Sequence, residues 1–406
     1  MDSFLYDSYL DPYKTGILIG DGQQTAVNVP VLIPLGLTWE TATTYDVGLD
    51  FDLFGNRLSF VGDYYVRYTT DMYTEGPEVP NVIGAEIPKG NNADLKTKGW
   101  ELSLTWRDNF QLAGKPFNYS VKGMLWDNRT WITKFYNPTK KLSDYYEGQE
   151  IGEIWGYQID GLFRTQEEID NHADQSKIKV SDTNILKVGD LKFADLDGNG
   201  VIDTGSNTVD DPGDRRKIGN ETPRFCYGIN LSANWNGIGL SAFFQGIGKK
   251  DWYPARETGY FYGQYSRPYG YMLKGHTGNN VWTEENQNFD AYWPRYRGYL
   301  SSSNRPMGVV NNRYLQDVSY LRLKNLQIDY SFNKNICQKL HLENLRIYLS
   351  GENLLTWSSL FKVTKNFDPE GINAGDSDFR SKNNTDGQGY GYPMMRTYTF
   401  GVNVTF

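Results

Sequence analysis

The sequence lacks long hydrophobic runs and has few of the residues that metal centres and hydrolytic sites require. It has 406 residues, of which only three are histidine and two are cysteine. None of its segments approaches the ~20 consecutive apolar residues of a membrane-spanning helix. His172, His276 and His341 are widely scattered, with no zinc spacing, nucleophile elbow or phosphate loop. The chain is therefore predicted not to be an enzyme, and any passage through a membrane must use β-strands.

Basic residues are also fewer than acidic residues. Lysine and arginine together number 41, against 49 for aspartate and glutamate, which gives a formal net charge of −8. Nucleic-acid binding depends on clustered lysine and arginine, and the sequence contains no such stripe. We therefore exclude nucleic acid as a partner.

What the chain has in abundance is alternation of apolar and polar residues with period two. At the C-terminus the residues from Tyr398 to Phe406 place aromatic and valine side chains on one face and threonine, glycine and asparagine on the other. The apolar faces of the alternating stretches carry no charge, whereas the opposite faces do. A lipid-facing arginine or lysine near the bilayer midplane costs roughly 2 to 4 kcal/mol, so this asymmetry is typical of a membrane strand. A soluble β-sandwich also alternates, so alternation alone leaves both folds open.

The alternation predicts nine strands, near residues 38–51, 57–69, 98–107, 117–131, 222–235, 238–247, 318–332, 345–355 and 395–406. The connections between them are alternately short, as at Asn236-Gly237, and very long. Outer-membrane barrels have short periplasmic turns and long extracellular loops, whereas a sandwich has no reason to sort its loops in this way. The sequence therefore predicts an antiparallel transmembrane β-barrel.

Strand parity and local irregularities refine this prediction. The first and ninth predicted strands both run inward, so the chain would begin outside the cell and end in the periplasm. A complete single-chain barrel has an even number of strands and has both termini inside. Met1–Lys14 is not a secretory signal, so we expect an N-terminal part of the protein to be absent from this chain. The apolar phase slips after Leu323, which predicts a β-bulge near Lys324 or Asn325.

The two cysteines are predicted to be free thiols. The strand layout places Cys226 at the outer end of a strand and Cys337 in an inner turn. This separation exceeds the ~4.4 to 6.8 Å Cα spacing that a disulfide requires.

The predicted organisation has six regions. They are an extracellular loop region (1–37), four barrel strands (38–131), a large extracellular loop (132–221), a barrel hairpin (222–247), an aromatic-rich extracellular loop (248–317) and the C-terminal barrel strands (318–406).

Several motifs, in family order from about residue 37 to 406, resemble the C-terminal half of the SusC/RagA family of TonB-dependent outer-membrane transporters. The matching segments are 37–41, 47–51, 56–58, 63–65, 98–104, 154–157, 160–163, 189–203, 218–223, 244–246, 320–326 and 396–401. The resemblance implies that these are about nine C-terminal strands of a 22-stranded barrel, with the final strand serving as the assembly signal. It also implies a Gram-negative outer membrane, contact with membrane lipid or LPS, and an oligosaccharide or peptide cargo.

The same resemblance implies partners. They are a SusD-like surface lipoprotein, TonB, and an N-terminal plug and barrel part in the same or a separate polypeptide. This chain departs from the family pattern by lacking the plug and the TonB-contacting segment. It is therefore expected to supply part of the barrel wall and the outer loops. The alternatives are a surface binding or adhesion protein without transport and, with least support, a soluble all-β enzyme.

One loop motif has the spacing of a calcium site. The candidate ligands are the side chains of Asp195, Asp197, Asn199 and Asp203 and the carbonyl of Val201, at positions 1, 3, 5, 9 and 7 of an EF-hand-type loop. Position 12 is Ser206 rather than glutamate, and Asp210, Asp211 or Asp214 could complete the shell. A turn that hydrogen-bonds itself explains the same composition, so a structural Ca²⁺ and an ion-free turn both remain open.

Aromatic residues are concentrated in the loops. The candidates for ligand or partner contact are Trp155, Tyr157, Trp252, Tyr253, Tyr260, Tyr262, Trp282 and Trp293. Aromatic rings suit sugar faces and protein interfaces alike. Docking of the lipoprotein and packing of the loops on themselves are favoured over direct substrate contact.

Overall fold

A computed structural model of the chain describes residues 12–19, 22–28, 36–76, 88–256, 258–270, 272–372 and 394–406. The chain is mostly β-structure. Numbered along the chain, the strands are β1 (Pro12–Ile19), β2 (Gly22–Val27), β3 (Thr41–Leu53), β4 (Leu58–Glu75), β5 (Lys89–Leu112), β6 (Lys115–Lys134), β7 (Glu153–Tyr157), β8 (Ile159–Leu162), β9 (Leu191–Phe193), β10 (Arg215–Asn220), β11 (Arg224–Trp235), β12 (Ile238–Lys249), β13 (Asp251–Trp252), β14 (Gln316–Asp317), β15 (Tyr320–Ser331), β16 (Asn344–Ser358) and β17 (Thr397–Thr405).

Nine of these strands form one large sheet in the order β17-β16-β15-β12-β11-β6-β5-β4-β3. They are the nine strands that the alternation predicts, so the predicted β-fold is confirmed. Neighbours in the sheet follow one another among the long strands of the chain, as expected of a meander. Asn236 and Gly237 form the tight β11–β12 turn with φ of 49° and 85°, the left-handed pair that a two-residue hairpin of this kind requires.

The predicted bulge is also present. In the β12–β15 pairing Phe243 lies opposite Asn325 and Phe244 lies opposite Leu323, so Lys324 is the extra residue. The insertion explains why the apolar residues of β15 change parity at this point.

The large sheet has one exposed apolar face and one polar face. A row of neighbours in register runs across four strands, and its exposed fractions are 43% for Leu240, 50% for Ile328, 55% for Leu349 and 70% for Phe400. The opposite face carries ion pairs such as Arg346 with Asp329, whose Nη2 and Oδ1 atoms are 2.8 Å apart. A water-soluble sheet would cover such an apolar row rather than leave it exposed.

The strand ends differ from the prediction in two places. β4 continues to Glu75 and β5 begins at Lys89, so this hairpin extends well into the connection predicted for residues 70–97. Region 1–37, predicted as a loop region, contains the antiparallel hairpin of β1 and β2. The alternation did not reveal this hairpin because the side chains of β2 are largely exposed and few of them are apolar.

Among the described residues three short α-helices lie in the connections, and they are α1 (Gln166–Asp170), α2 (Gly259–Tyr262) and α3 (Lys334–Lys339). Asn333 caps α3 by accepting a hydrogen bond from the Ile336 amide at 3.0 Å. None of the helices in the described ranges is long and apolar enough to cross a membrane. Cys226 in β11 and the buried Cys337 in α3 are both free thiols, as predicted.

The chain divides into two compact units. The first comprises Met1–Asp46, Tyr65–Lys98 and Arg129–Ile151, and the second comprises Val47–Tyr64, Gly99–Asn128 and Gly152–Phe406. In the first unit the Asn91 side chain bonds the Thr38 carbonyl at 2.9 Å. In the second unit the long connections build the interior.

The interior of the second unit is aromatic and lies outside the large sheet. Among the described residues, the largest fully buried side chains are Trp282, Tyr262, Tyr265, Tyr314, Phe163, Phe193, Phe261, Ile178, Leu191, Ile202, Met307 and Leu360. All of them belong to connections between the strands of that sheet. The long connections therefore fold as a packed body with its own core.

Candidate functional site

The Asp195–Asp203 segment forms a tight acidic loop directly after β9. The Asp195 carboxylate accepts hydrogen bonds from the Gly198 amide at 2.7 Å and from the Gly200 amide at 2.9 Å. These backbone bonds, of which that from Gly200 contributes most, lower the pKa of Asp195. Asn199 accepts from the Val201 amide at 2.7 Å. The predicted loop therefore forms, with its polar side chains turned inward to its own backbone.

The structure selects Asp214 as the additional acidic group. One carboxylate oxygen from each of Asp195, Asp197 and Asp214 lies within 4.8 Å of the others, a spacing that one cation can bridge. Asp214 is fully buried, and burial together with the carboxylates of Asp197 and Asp195 raises its pKa. Asp211 instead accepts from the Ser206 amide at 2.8 Å.

Asp203, the predicted ligand at position 9, takes part in a different set of contacts. Its carboxylate accepts from the Gly205 amide at 2.7 Å, and its own amide donates to Asp214 at 2.8 Å. Val201, whose carbonyl is the predicted position 7, pairs with Asp174 in a parallel bridge. The acidic loop is thus tied to neighbouring segments at both ends.

The aromatic core of the second unit is centred on Trp293. Its ring stacks on Tyr265 at 5.4 Å and on Tyr314 at 5.4 Å, with interplanar angles of 17° and 24°. The ring centroids of Trp293 and His276 are 4.0 Å apart, and Phe261 contacts Trp293 edge-on. Such offset and edge contacts each add to the gain from burial.

Six of the predicted ligand or partner contacts belong to this interior. They are each at most 8% exposed, and they are Tyr157, Trp252, Tyr253, Tyr262, Trp282 and Trp293. Packing of the loops on themselves, one of the roles that the sequence allowed, describes these side chains, because a buried ring does not reach a ligand. The prediction of ligand or partner contact stays a prediction for Tyr260, which is 38% exposed, and for the half-buried Trp155.

Trp155 and Tyr157 line a common cavity of about 490 Å³. Its walls are formed by β7, by residues 177–178 before β9, by the end of the acidic loop, by β10 and by the connection before β14. The other lining residues are Lys177, Ile178, Asp203, Thr204, Gly205, Arg215, Asn304, Val309 and Val310. The Trp155 indole donates to Glu153 at 3.2 Å, which fixes the ring at the edge of β7. Burial raises the pKa of Tyr157 to about 12, so its hydroxyl stays protonated.

Two arrangements were not anticipated from the sequence. Arg322, 2% exposed, lies on β15 and binds Asp368 and Glu370, each at 2.6 Å, which ties the connection after β16 to the polar face. A cavity of about 850 Å³ lies on the polar face near the short turns, and its lining includes Arg57 and Asp108. Both depend on residues far apart in the chain.

Acid is expected to weaken the aromatic core through His276. This side chain is 4% exposed, and burial lowers its pKa to about 4 from an ordinary 6.5. An unfolded histidine protonates below pH 6.5 whereas the folded one resists until about pH 4, so stability falls as pH falls through this window, by up to about 3 kcal/mol. Hydrogen exchange of segment 258–300, measured from pH 7 to pH 4, is expected to show this loss. The loss of protection on acidification should be smaller in His276→Gln. An equal loss in the variant and the unmodified protein would show that His276 is not its cause.

Comparison with known proteins gives a consistent result. Residues 5–164 match the family model described as TonB dependent receptor-like, beta-barrel. TonB-dependent receptor P3 of Formosa agariphila is 30% identical over 420 residues, which span 98% of this chain and 38% of that protein. TonB-dependent receptor SusC of Bacteroides thetaiotaomicron is 26% identical over 190 residues, or 43% of this chain and 17% of SusC.

The fold matches a solved transporter. The RagAB peptide importer in its open-open state aligns with a TM-score of 0.68 at 21% identity, over 100% of this chain and 38% of that chain. The region described here thus has the fold of a barrel segment. It spans less than two fifths of the length of P3 and of the RagAB chain.

Proposed function

Because this chain belongs to the TonB-dependent receptor β-barrel family, with SusC and a RagAB chain among its similar proteins, we propose that it forms part of an outer-membrane importer. Its nine-stranded sheet supplies a stretch of the barrel wall, and its long connections supply the outer loops. The cargo is an oligosaccharide or a peptide. The role is transport and not catalysis.

The observation that carries this proposal is the exposed apolar face of the large sheet. Leu240, Ile328, Leu349 and Phe400 form an uncharged row in register, while the other face holds ion pairs. Lipid tolerates the first face and a water-filled lumen suits the second. Members of the family are outer-membrane proteins, which supports a location in the Gram-negative outer membrane, in contact with lipid and LPS.

The proposed partners follow from the family. A SusD-like lipoprotein would dock on the outer loops, TonB would deliver energy through a plug-bearing part, and that part would complete the barrel. The exposed Tyr260 and the half-buried Trp155 are the side chains proposed to contact the lipoprotein or the cargo.

Uptake measurements test the proposal. Cells that lack this protein, and cells that lack TonB, are given fluorescently labelled oligosaccharides and peptides. We expect both strains to lose the uptake of the same labelled compounds. Surface binding that persists without TonB, with no uptake attributable to the protein, would instead support an adhesion role.

We also propose that the acidic loop holds a structural Ca²⁺. Asp195, Asp197, Asn199, Asp203 and the Val201 carbonyl are the predicted ligands, and the position of Asp214 adds one more carboxylate. Three carboxylates held this close repel one another unless a cation lies between them.

Calorimetric titration with CaCl₂ tests this site. We expect Kd values of about 10⁻⁴ to 10⁻³ M, as in extracellular calcium modules. The Asp197→Asn variant is expected to bind Ca²⁺ with an affinity lower by about tenfold or more. Asp210→Asn is the matched control, because Asp210 is exposed and lies outside the carboxylate group. Absence of calcium-dependent heat in the unmodified protein, or equal losses in both variants, would overturn the proposal.

A further inference from the structure

The 490 Å³ cavity contains Arg215, which makes no ion pair with any of the described residues. Arg215 Nη2 donates to Asn207 at 2.8 Å and to the Thr204 carbonyl at 3.3 Å. Its Nε donates to the Pro212 carbonyl at 3.3 Å. Within the described part of the chain no carboxylate lies within ion-pair distance of this guanidinium, and Nη1 has no hydrogen bond. Both N–H donors of Nη1, and a positive charge that no ion pair neutralises, therefore remain available in the cavity.

The charge of Arg215 is costly where it lies. Arg215 is half-buried, and an arginine side chain stays cationic at neutral pH. Its hydrogen-bond partners are neutral oxygens, which orient the group without neutralising it. A half-buried cation of this kind gains most from an anion that reaches it.

The remaining lining defines the shape and charge of the cavity. Lys177 is exposed at the wall and has no ion pair among the described residues, so it adds a second cation. The Asp203 carboxylate also lines the cavity and interacts electrostatically with Arg215 from beyond ion-pair distance, and the Gly205 amide holds one of its oxygens. Lys217, which lies 5.6 Å from the Trp155 ring, is neutralised by Glu153 at 2.9 Å. The lining thus has a formal excess of one positive charge, from two cations and one anion.

The apolar part of the lining favours a small organic ligand over a free ion. Trp155 and Tyr157 contribute rings, and Ile178, Val309 and Val310 contribute aliphatic walls. A volume of about 490 Å³ lies within the usual range for small-molecule sites, in which a few polar groups orient a ligand against apolar walls.

We propose that this cavity is a recognition site for a carboxylate-bearing unit of the cargo, with Arg215 and Lys177 binding the carboxylate and Trp155 packing against the body of the unit. The carboxylate can belong to an acidic sugar or to a peptide terminus. The proposal rests on the proposed function for its view of the ligand as cargo, although binding itself requires neither TonB nor a membrane potential.

Matched pairs of small probes test the site and separate the two sources. The protein, purified from membranes at its native length, is titrated calorimetrically with digalacturonate and with galactobiose. A second titration compares tri-alanine with its C-terminal amide. We expect the acid in at least one pair to bind at least tenfold more tightly than its neutral counterpart, because a hydrogen bond to a charged group is lost with the carboxylate. The pair that shows the difference identifies the source.

Variants assign the binding to this cavity. Lys177→Gln and Arg215→Gln are each expected to lower the affinity of the protein for the acidic probe by about tenfold. Arg216→Gln is the matched control, because Arg216 is exposed on the same strand and does not line the cavity. Lys177→Gln keeps the test decisive if Arg215→Gln disturbs the loop carbonyls that Arg215 binds.

Three outcomes would overturn the proposal. They are equal binding of the acid and its neutral counterpart in both pairs, absence of binding by all four probes, and an equal loss in Arg216→Gln and Lys177→Gln. None of these outcomes would contradict the import proposal, which is tested independently by TonB-dependent uptake.

Discussion

Replacement of Leu349 by lysine is expected to destabilise the membrane-inserted protein by about 2 to 4 kcal/mol, whereas the same replacement of the adjacent Ser350 is expected to be tolerated. Leu349 is 55% exposed on the apolar face of β16, between Ile328 and Phe400. Ser350 lies on the polar face, opposite Gln327 and Thr399. The two positions share a strand and a depth and differ mainly in the face they occupy.

The amount of folded protein in outer membranes, followed by urea unfolding in lipid vesicles, measures this difference. Leu349→Lys should assemble poorly and unfold at lower urea, while Ser350→Lys should behave like the unmodified protein. Equal effects of the two lysines, or a larger effect at Ser350, would mean that lipid does not contact this face. Leu349→Ala separates the effect of charge from the loss of side-chain volume.

Replacement of Trp293 by alanine is expected to cost the loop core about 3 to 5 kcal/mol, the usual range for removal of a large buried aromatic side chain. The ring is 3% exposed and stacks between Tyr265 and Tyr314, so its loss leaves a cavity bordered by other rings. Those rings are held by hydrogen bonds, such as that from the Tyr265 hydroxyl to the Pro294 carbonyl at 2.9 Å, which limit any collapse into the gap.

Limited proteolysis and hydrogen exchange of residues 250–319 measure this effect. Trp293→Ala should be cleaved faster and lose protection throughout this segment. Tyr269→Ala is the control, because Tyr269 is 78% exposed and should change stability by no more than about 0.5 kcal/mol. Unchanged protection in Trp293→Ala would show that these loops do not fold around an aromatic core.

The large sheet was predictable because its environment imposes a rule on each residue in turn. Charge is excluded from alternate positions, so the pattern of single residues gives the strands and their faces without any long-range information. Even the insertion at Lys324 follows from the change of parity between Leu323 and Leu326. The same rule does not apply to β2, whose exposed residues are not restricted in this way.

The loop interior was not predictable in this way. An aromatic residue in a long connection satisfies the requirements of a core and of a binding surface equally well, and which role it takes depends on contacts across the chain. Trp293 is buried because Tyr314 reaches it, and Arg322 is buried because Glu370, 48 residues away, neutralises it. Selection of Asp214 over its acidic neighbours likewise depends on the distant Leu196 amide, to which it bonds at 2.7 Å.

The central claim is that lipid covers the apolar face of the nine-stranded sheet. The most direct test is to expose outer membranes to a photoactivated label confined to the lipid phase and to map the labelled residues by mass spectrometry. Labelling is expected at Ile328, Leu349 and Phe400, and none is expected at their polar-face neighbours Gln327, Ser350 and Thr399. A protein released from the membranes by carbonate washing, or labelled equally on both faces, would contradict it.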